Sequence, residues 1–170
     1  KTGIFYKFFP YVPEMTNSAN NTEVIDLFNS AELRRCEIPS ANGHASARAL
    51  AKIAATMVGG GQADPGSERL LSKEGCARAT GNSTGAKMFG WIPMWFTDGG
   101  WAMFREKVKG KGRDGYMGWM GLGGSVLQWH REESIGFGYA MNMLESTPTN
   151  ERARVLQDAV QQCARAAAAK

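Results

Sequence analysis

The residues best suited to chemistry lie in Gly118-Trp119-Met120-Gly121-Leu122-Gly123-Gly124-Ser125, where four of eight positions are glycine. Missing side chains let another group come close to the backbone. Main-chain N–H groups offered in this way suit a carbonyl oxygen that gains negative charge during acyl transfer. The stretch Ile135-Gly136-Phe137-Gly138-Tyr139 alternates small and large residues. With the polar segment between the two, it predicts an antiparallel hairpin, residues 125–130 against 135–143.

Other chemistries find little support. His44 and His130 are the two histidines, far apart, and form no metal pattern. No two acidic residues share a motif for paired-carboxylate work, and Asp98 and Asp114 sit beside glycines as turn formers. Gly123-Gly124-Ser125 lacks the rest of a phosphate-binding loop and precedes a strand, not a helix. No cofactor or metal site is expected. Cys36, Cys76 and Cys163 have no Cys-x-x-Cys spacing, and their odd number argues against a closed disulfide framework. Free, buried thiols in a reducing compartment, the cytoplasm or an organelle matrix, are the expectation.

The glycine-rich stretch and its hairpin resemble the third motif and following strands of the serine β-lactamase and penicillin-binding-protein superfamily. The nearest branch is class C and the β-lactamase-type carboxylesterases. That branch often reads Gly-His-x-Gly-x-Gly-Gly-Ser, then Phe-Ala-Asp-Pro, then a strand ending Gly-Tyr-x-Met-Asn; here the last piece is Gly138-Tyr139-Ala140-Met141-Asn142. Upstream, Ser40-Ala41-Asn42-Gly43, Ala47-Arg48-Ala49-Leu50-Ala51-Lys52-Ile53 and Gly59-Gly60-Gly61 resemble the helix after the active-site tyrosine region. Leu71-Ser72-Lys73-Glu74 resembles the short helix that follows. Ordered matches run from Ile38 to Ala164.

The resemblance implies site residues. Trp119-Met120-Gly121 takes the third-motif position, where the family usually begins with Lys or His. Tryptophan has no ionisable group and donates only through its indole N–H. Some β-lactamase-like esterases resemble this chain in carrying Trp there, so an esterase is favoured over a β-lactamase; Trp119 as an ordinary core aromatic is the alternative. The Leu122 backbone N–H takes the place of one oxyanion donor, a group worth about 3 kcal/mol in the transition state. The catalytic set implied by resemblance is thus Leu122, Trp119 and Gly121. His130-Arg131 stands where the family often has Asp-Pro, a tolerated turn exchange. Lys1-Thr2-Gly3 spells a third motif too, but Ile4-Phe5-Tyr6 follows it and no hairpin partner fits.

The family's nucleophile motif Ser-x-x-Lys is absent, as is Tyr-x-Asn; Ser46-Ala47-Arg48-Ala49 fails at its last position. Such a domain is also normally much longer than 170 residues. The chain therefore resembles the C-terminal half of a hydrolase domain, whose nucleophile lies upstream.

Several elements must position these residues. Ser46 is a good N-cap, and Leu50, Ile53, Ala54 and Met57 follow helical spacing, with Gly59 as the C′ residue. A helix over 46–58 results. Ser72 caps a second helix reaching Thr80, and 81–85 reads as a flexible link. A short helix is expected over 22–33. Strands are expected at 90–92, 101–106, 115–120, 125–130 and 135–143. Pro148 begins a final helix whose apolar stripe is Leu156, Ala159, Val160 and Cys163.

That order predicts an α+β fold: an antiparallel sheet flanked by helices, with the C-terminal helix packed on the sheet, as in the C-terminal half of a β-lactamase/DD-peptidase-like domain. One partial domain over 1–170 is expected, with a helical part at 38–80, sheet hairpins and the last helix at 88–170, and a peripheral segment at 1–37. No apolar run reaches the roughly 18 residues of a membrane span. The net charge of +4 equals the excess of the segment from Arg105 to Arg113, which has five basic residues and one acidic. The basicity is a local loop, not a nucleic-acid-binding face.

The expected function is acyl transfer on a small ester or amide once an upstream half supplies the nucleophile. The alternative is a non-catalytic β-lactamase-like subunit of a larger assembly, since folds outlive activities. Either way a partner surface is expected, the domain's N-terminal half or another polypeptide covering the exposed sheet. Five Trp, eight Phe and nine Met are a large apolar load for this length. The uncovered patch is expected at the 119–122 edge or on the 46–58 helix.

Overall fold

The computed structural model describes residues 29–39, 42–88, 90, 92–105, 112–121, 123–142 and 151–170. Leu122, Lys1-Thr2-Gly3, the start of the 22–33 helix, the centre of the basic loop and Pro148 lie outside the described residues.

Among the described residues, three helices precede the sheet: α1 (Ala31–Arg34), α2 (Ala47–Val58) and α3 (Lys73–Thr80). The Ser46 hydroxyl accepts from the Ala49 N–H at 3.2 Å, and the Ser72 hydroxyl from the Gly75 N–H at 2.9 Å. Each fills one of the donors a helix start leaves unpaired. The end of α2 departs from expectation. Gly59 keeps φ −75°, and the left-handed residue is Gly60 at φ +64°. Gly59 is required for another reason: a Cβ there would lie 1.9 Å from the Gln62 carbonyl oxygen.

Among the described residues the sheet has six strands in sequence order, every neighbouring pair antiparallel. They are β1 (Thr84–Met88), β2 (Ile92–Phe96), β3 (Ala102–Met103), β4 (Met117–Met120), β5 (Val126–His130) and β6 (Ile135–Tyr139). A final helix, α4 (Glu151–Ala168), closes the chain. The expected hairpin is β5–β6, in register from Val126↔Tyr139 to His130↔Ile135. The expected link at 81–85 instead runs into β1, and the sheet begins at Thr84. The sequence hides β1 because the strand lies at a sheet edge with four of its five residues exposed, so no apolar alternation marks it. In β2, Pro93 breaks the strand-like run, yet it pairs with Lys87.

Side chains alternate across the sheet and feed two cores. On one face, Met117 and its cross-strand partner Trp129 pack with Ala54 and Met57 of α2 and Cys76 of α3. On the other, Tyr116, Val126, Ile135 and Phe137 pack with Ala153 of α4. On α2, Ala54 and Met57 are buried as the spacing predicts, while Ile53 is 42% exposed.

The facing of α4 is a second correction. Leu156, Ala159, Val160 and Cys163, expected to be the buried stripe, are exposed. The helix buries Ala153, Gln157 and Gln161 instead. The reason is a polar seat: the Gln157 amide donates to the Gln128 side-chain carbonyl at 2.8 Å, with Gln128 fully buried. A hydrogen bond between two buried amides satisfies groups that apolar residues would leave unpaired. The cysteine expectation fails in part as well. All three thiols are free, but only Cys76 is buried; Cys163 rides the outer side of α4, and Cys36 follows α1.

Candidate functional site

The glycine-rich stretch ends β4 and turns into β5. The Gly121 N–H donates to the Ser125 carbonyl at 2.8 Å, and the Gly124 N–H returns to the Gly121 carbonyl at 3.0 Å. Gly123 and Gly124 hold φ +98° and +111°, a region that strongly favours glycine. Gly118 has φ +123°, and a Cβ there would lie 2.2 Å from the Leu127 carbonyl oxygen. Glycine at 118, 123 and 124 is thus set by backbone geometry.

Trp119 is not a core residue. It is 40% exposed on a strand whose neighbours Met117 and Gly118 are buried. Its ring centroid is 6.2 Å from that of Phe96 on β2, the planes tilted by 33°. They meet because β3 is only two residues long and pairs with Met117 and Gly118, stopping short of Trp119. The structure therefore places Trp119 beside an aromatic that sequence reasoning missed. Nothing local marks Phe96, since its role arises from strands not adjacent in the sheet.

The histidines do not join this group. His44 is exposed, its Nδ1 3.1 Å from the Asn42 carbonyl. His130 ends β5 and is buried, so it is more than a turn exchange. Its Nδ1 accepts from the Glu133 backbone N–H at 3.2 Å, and its ring meets Tyr116 edge-on at 5.1 Å. Arg131 donates to the Thr80 hydroxyl at 3.3 Å, tying the β5–β6 turn to the end of α3. Asp98 lies in a turn and accepts from the Asn82 amide at 2.8 Å. Among the described residues, no group of three or more His, Cys, Asp or Glu side chains is placed to hold a metal, and no helix is long and apolar enough to cross a membrane.

The β5–β6 turn also anchors α4. Arg165 donates to one Glu133 carboxylate oxygen through Nε at 3.0 Å and Nη2 at 2.6 Å. Burial pushes the Glu133 carboxyl up, but Arg165, the Gln161 amide and His130 outweigh it and hold the group below its usual 4.5. Burial, with Glu133 and Asp158 nearby, pushes the Tyr116 hydroxyl up to about 12. Tyr116 thus stays neutral throughout the physiological range.

A pH prediction follows from the depressed carboxyl. Its stabilisation is present above 4.5 and fades as pH falls through the lower folded-state value. Glu133→Gln is expected to cost roughly 1 kcal/mol at pH 7, the scale of one partly exposed charge-assisted bond. Urea unfolding of both proteins from pH 7 to 3 checks it. The gap between them should close in acid, and a gap constant across the range would sink the assignment.

No family model matches the sequence, and no curated protein does. Among solved structures, the crystal structure of a family VIII carboxylesterase matches with a TM-score of 0.68 and 25% identity. The match covers 88% of this chain and 40% of that one. The fold is that of the β-lactamase-like serine hydrolases. The chain spans less than half the length of this β-lactamase-like carboxylesterase, which fits the resemblance to a C-terminal half. An α+β arrangement with an antiparallel sheet, flanking helices and a C-terminal helix agrees with a β-lactamase-like fold.

Proposed function

We propose that residues 1–170 are the C-terminal part of one β-lactamase-related domain that performs acyl transfer on a small ester or amide. The observation that carries this reading is the likeness to the carboxylesterase, together with the glycine-shaped end of β4 that exposes Trp119. In this reading a serine from a Ser-x-x-Lys motif attacks the substrate carbonyl, and the lysine with a Tyr-x-Asn tyrosine moves the proton. The Leu122 N–H holds the oxyanion, Gly121 keeps the approach clear, and Trp119 forms a wall. The sequence contains neither motif, so the chain contributes the wall and one oxyanion donor, and a polypeptide carrying the N-terminal half contributes the nucleophile.

The purified chain is therefore expected to be inactive, because an oxyanion donor accelerates nothing without a nucleophile. The assay is turnover of a chromogenic short-chain ester and of a cephalosporin, with covalent labelling by a serine-directed phosphonate. Turnover above a boiled control, with labelling of the chain itself, would overturn this division of roles. A complex with an intact nucleophile-bearing half that still fails to turn over would favour a structural subunit instead.

A further inference from the structure

An open groove of about 720 Å³ runs past the His130 end of β5. The glycine turn lies at the other end of that five-residue strand, about 13 Å away, so the acyl-transfer reading makes no use of the groove. His130 lines it although its side chain is only 6% exposed. The Glu133 backbone N–H can only donate, and it donates to Nδ1, so the proton of the neutral imidazole sits on Nε2. Among the described residues that Nε2–H has no acceptor within hydrogen-bond reach; the Glu133 carboxylate oxygen is 4.0 Å away. Gly115 also lines the groove and leaves the space before Nε2 open, since a Cβ there would lie 2.5 Å from it. A nearly buried donor with room in front of it and no protein partner is a place for a ligand's acceptor atom.

We propose that this groove binds a neutral polyhydroxylated ligand, a saccharide or similar polyol. A cation has nothing with which to accept from Nε2–H. The charged lining of the groove carries no net field for an anion either: Arg165 holds Glu133, and Arg105 and Arg131 offset Asp114 and Glu132. Each of the two lining arginines bonds one protein hydroxyl, Arg105 that of Ser83 at 2.8 Å and Arg131 that of Thr80 at 3.3 Å, and each has further N–H donors. The groove therefore offers N–H donors and carboxylate acceptors side by side. Hydroxyls match that pattern, because each one both donates and accepts. Met103, Phe104 and Met117 add an apolar strip for the C–H face of a sugar ring, and the volume is that of a small-molecule site.

The test is NMR of the 170-residue chain, with the His130 imidazole nitrogens and the Gly115 amide as reporters. Methyl glucoside, maltose and inositol are the polyol probes. Inorganic phosphate, ethylammonium and acetamide stand for an anion, a cation and an amide. At least one polyol is expected to shift both reporters saturably, with a Kd of about 1 mM or below, while the other three probes leave them in place. His130→Phe keeps a ring edge toward Tyr116 but removes the donor, and should weaken binding at least about tenfold at the Gly115 reporter. Glu132→Ala, at an exposed position, should weaken it about threefold and decides the matter if His130→Phe does not fold. Arg154→Ala, on α4 and paired with Glu151, should bind as the wild type does. Saturable binding of phosphate, ethylammonium or acetamide in place of the polyols would overturn the ligand class. No saturable shift with any probe, or polyol binding that Glu132→Ala leaves unchanged, would overturn the site.

Discussion

Gly138→Ala is expected to destabilise the chain by about 3 kcal/mol, the upper range for overpacking a core. Gly138 lies on β6 directly under α2. A Cβ there would stand 2.4 Å from the Ala51 nitrogen and 2.5 Å from the Ala47 carbonyl oxygen. Both are helix backbone atoms and cannot swing aside as a side chain would, so the whole helix must lift. Gly136→Ala meets the same obstacle one turn along, 2.7 Å from the Ala55 nitrogen. Gly43→Ala is the control, with nothing within 4 Å of the new methyl. Urea unfolding followed by circular dichroism measures all three. A Gly138→Ala protein within about 0.5 kcal/mol of the wild type would show that α2 does not seat on β6 as described.

Trp129→Ala is expected to cost about 4 kcal/mol. Trp129 is fully buried at the centre of the α2-side core, with Trp101 edge-on at 5.1 Å. Its removal takes away a large apolar surface and leaves a cavity walled by Met57, Cys76 and Met117. Trp129→Phe keeps an aromatic face toward Trp101 and should cost less than half as much. Equal losses for the two variants would mean that neither filled volume nor an aromatic face toward Trp101 is what holds this core together.

What was legible in the sequence was what local residues decide. The cap at Ser46, the spacing of Ala54 and Met57 and the alternation of Ile135 to Tyr139 each act over a few residues, and each element stands where they indicate. What was hidden depends on partners far along the chain. The strand β1 exists because β2 supplies its ladder, not because its own residues alternate. The facing of α4 is decided by Gln128, on a strand that precedes it, so Leu156 and Val160 lost the position their character suggested. At the candidate site the glycines of the β4–β5 turn were legible, because φ values near +100° demand them. The meeting of Trp119 with Phe96 was not, because it depends on where β3 stops.

The sheet order also bears on how the chain is made. Every ladder joins strands that are neighbours in sequence, so the hairpins can form in turn as the polypeptide grows. The seat of α2 breaks that pattern: Ala51 meets Gly138, a residue synthesised long after it. Until β5 and β6 emerge, α2 lacks the strands it lies on, and Ala54 and Met57 stay open to other chains. The two glycines of β6 thus govern a late join in assembly. A defect there leaves the early helices formed but unhoused, the state in which a nascent protein is captured by chaperones or lost to aggregation.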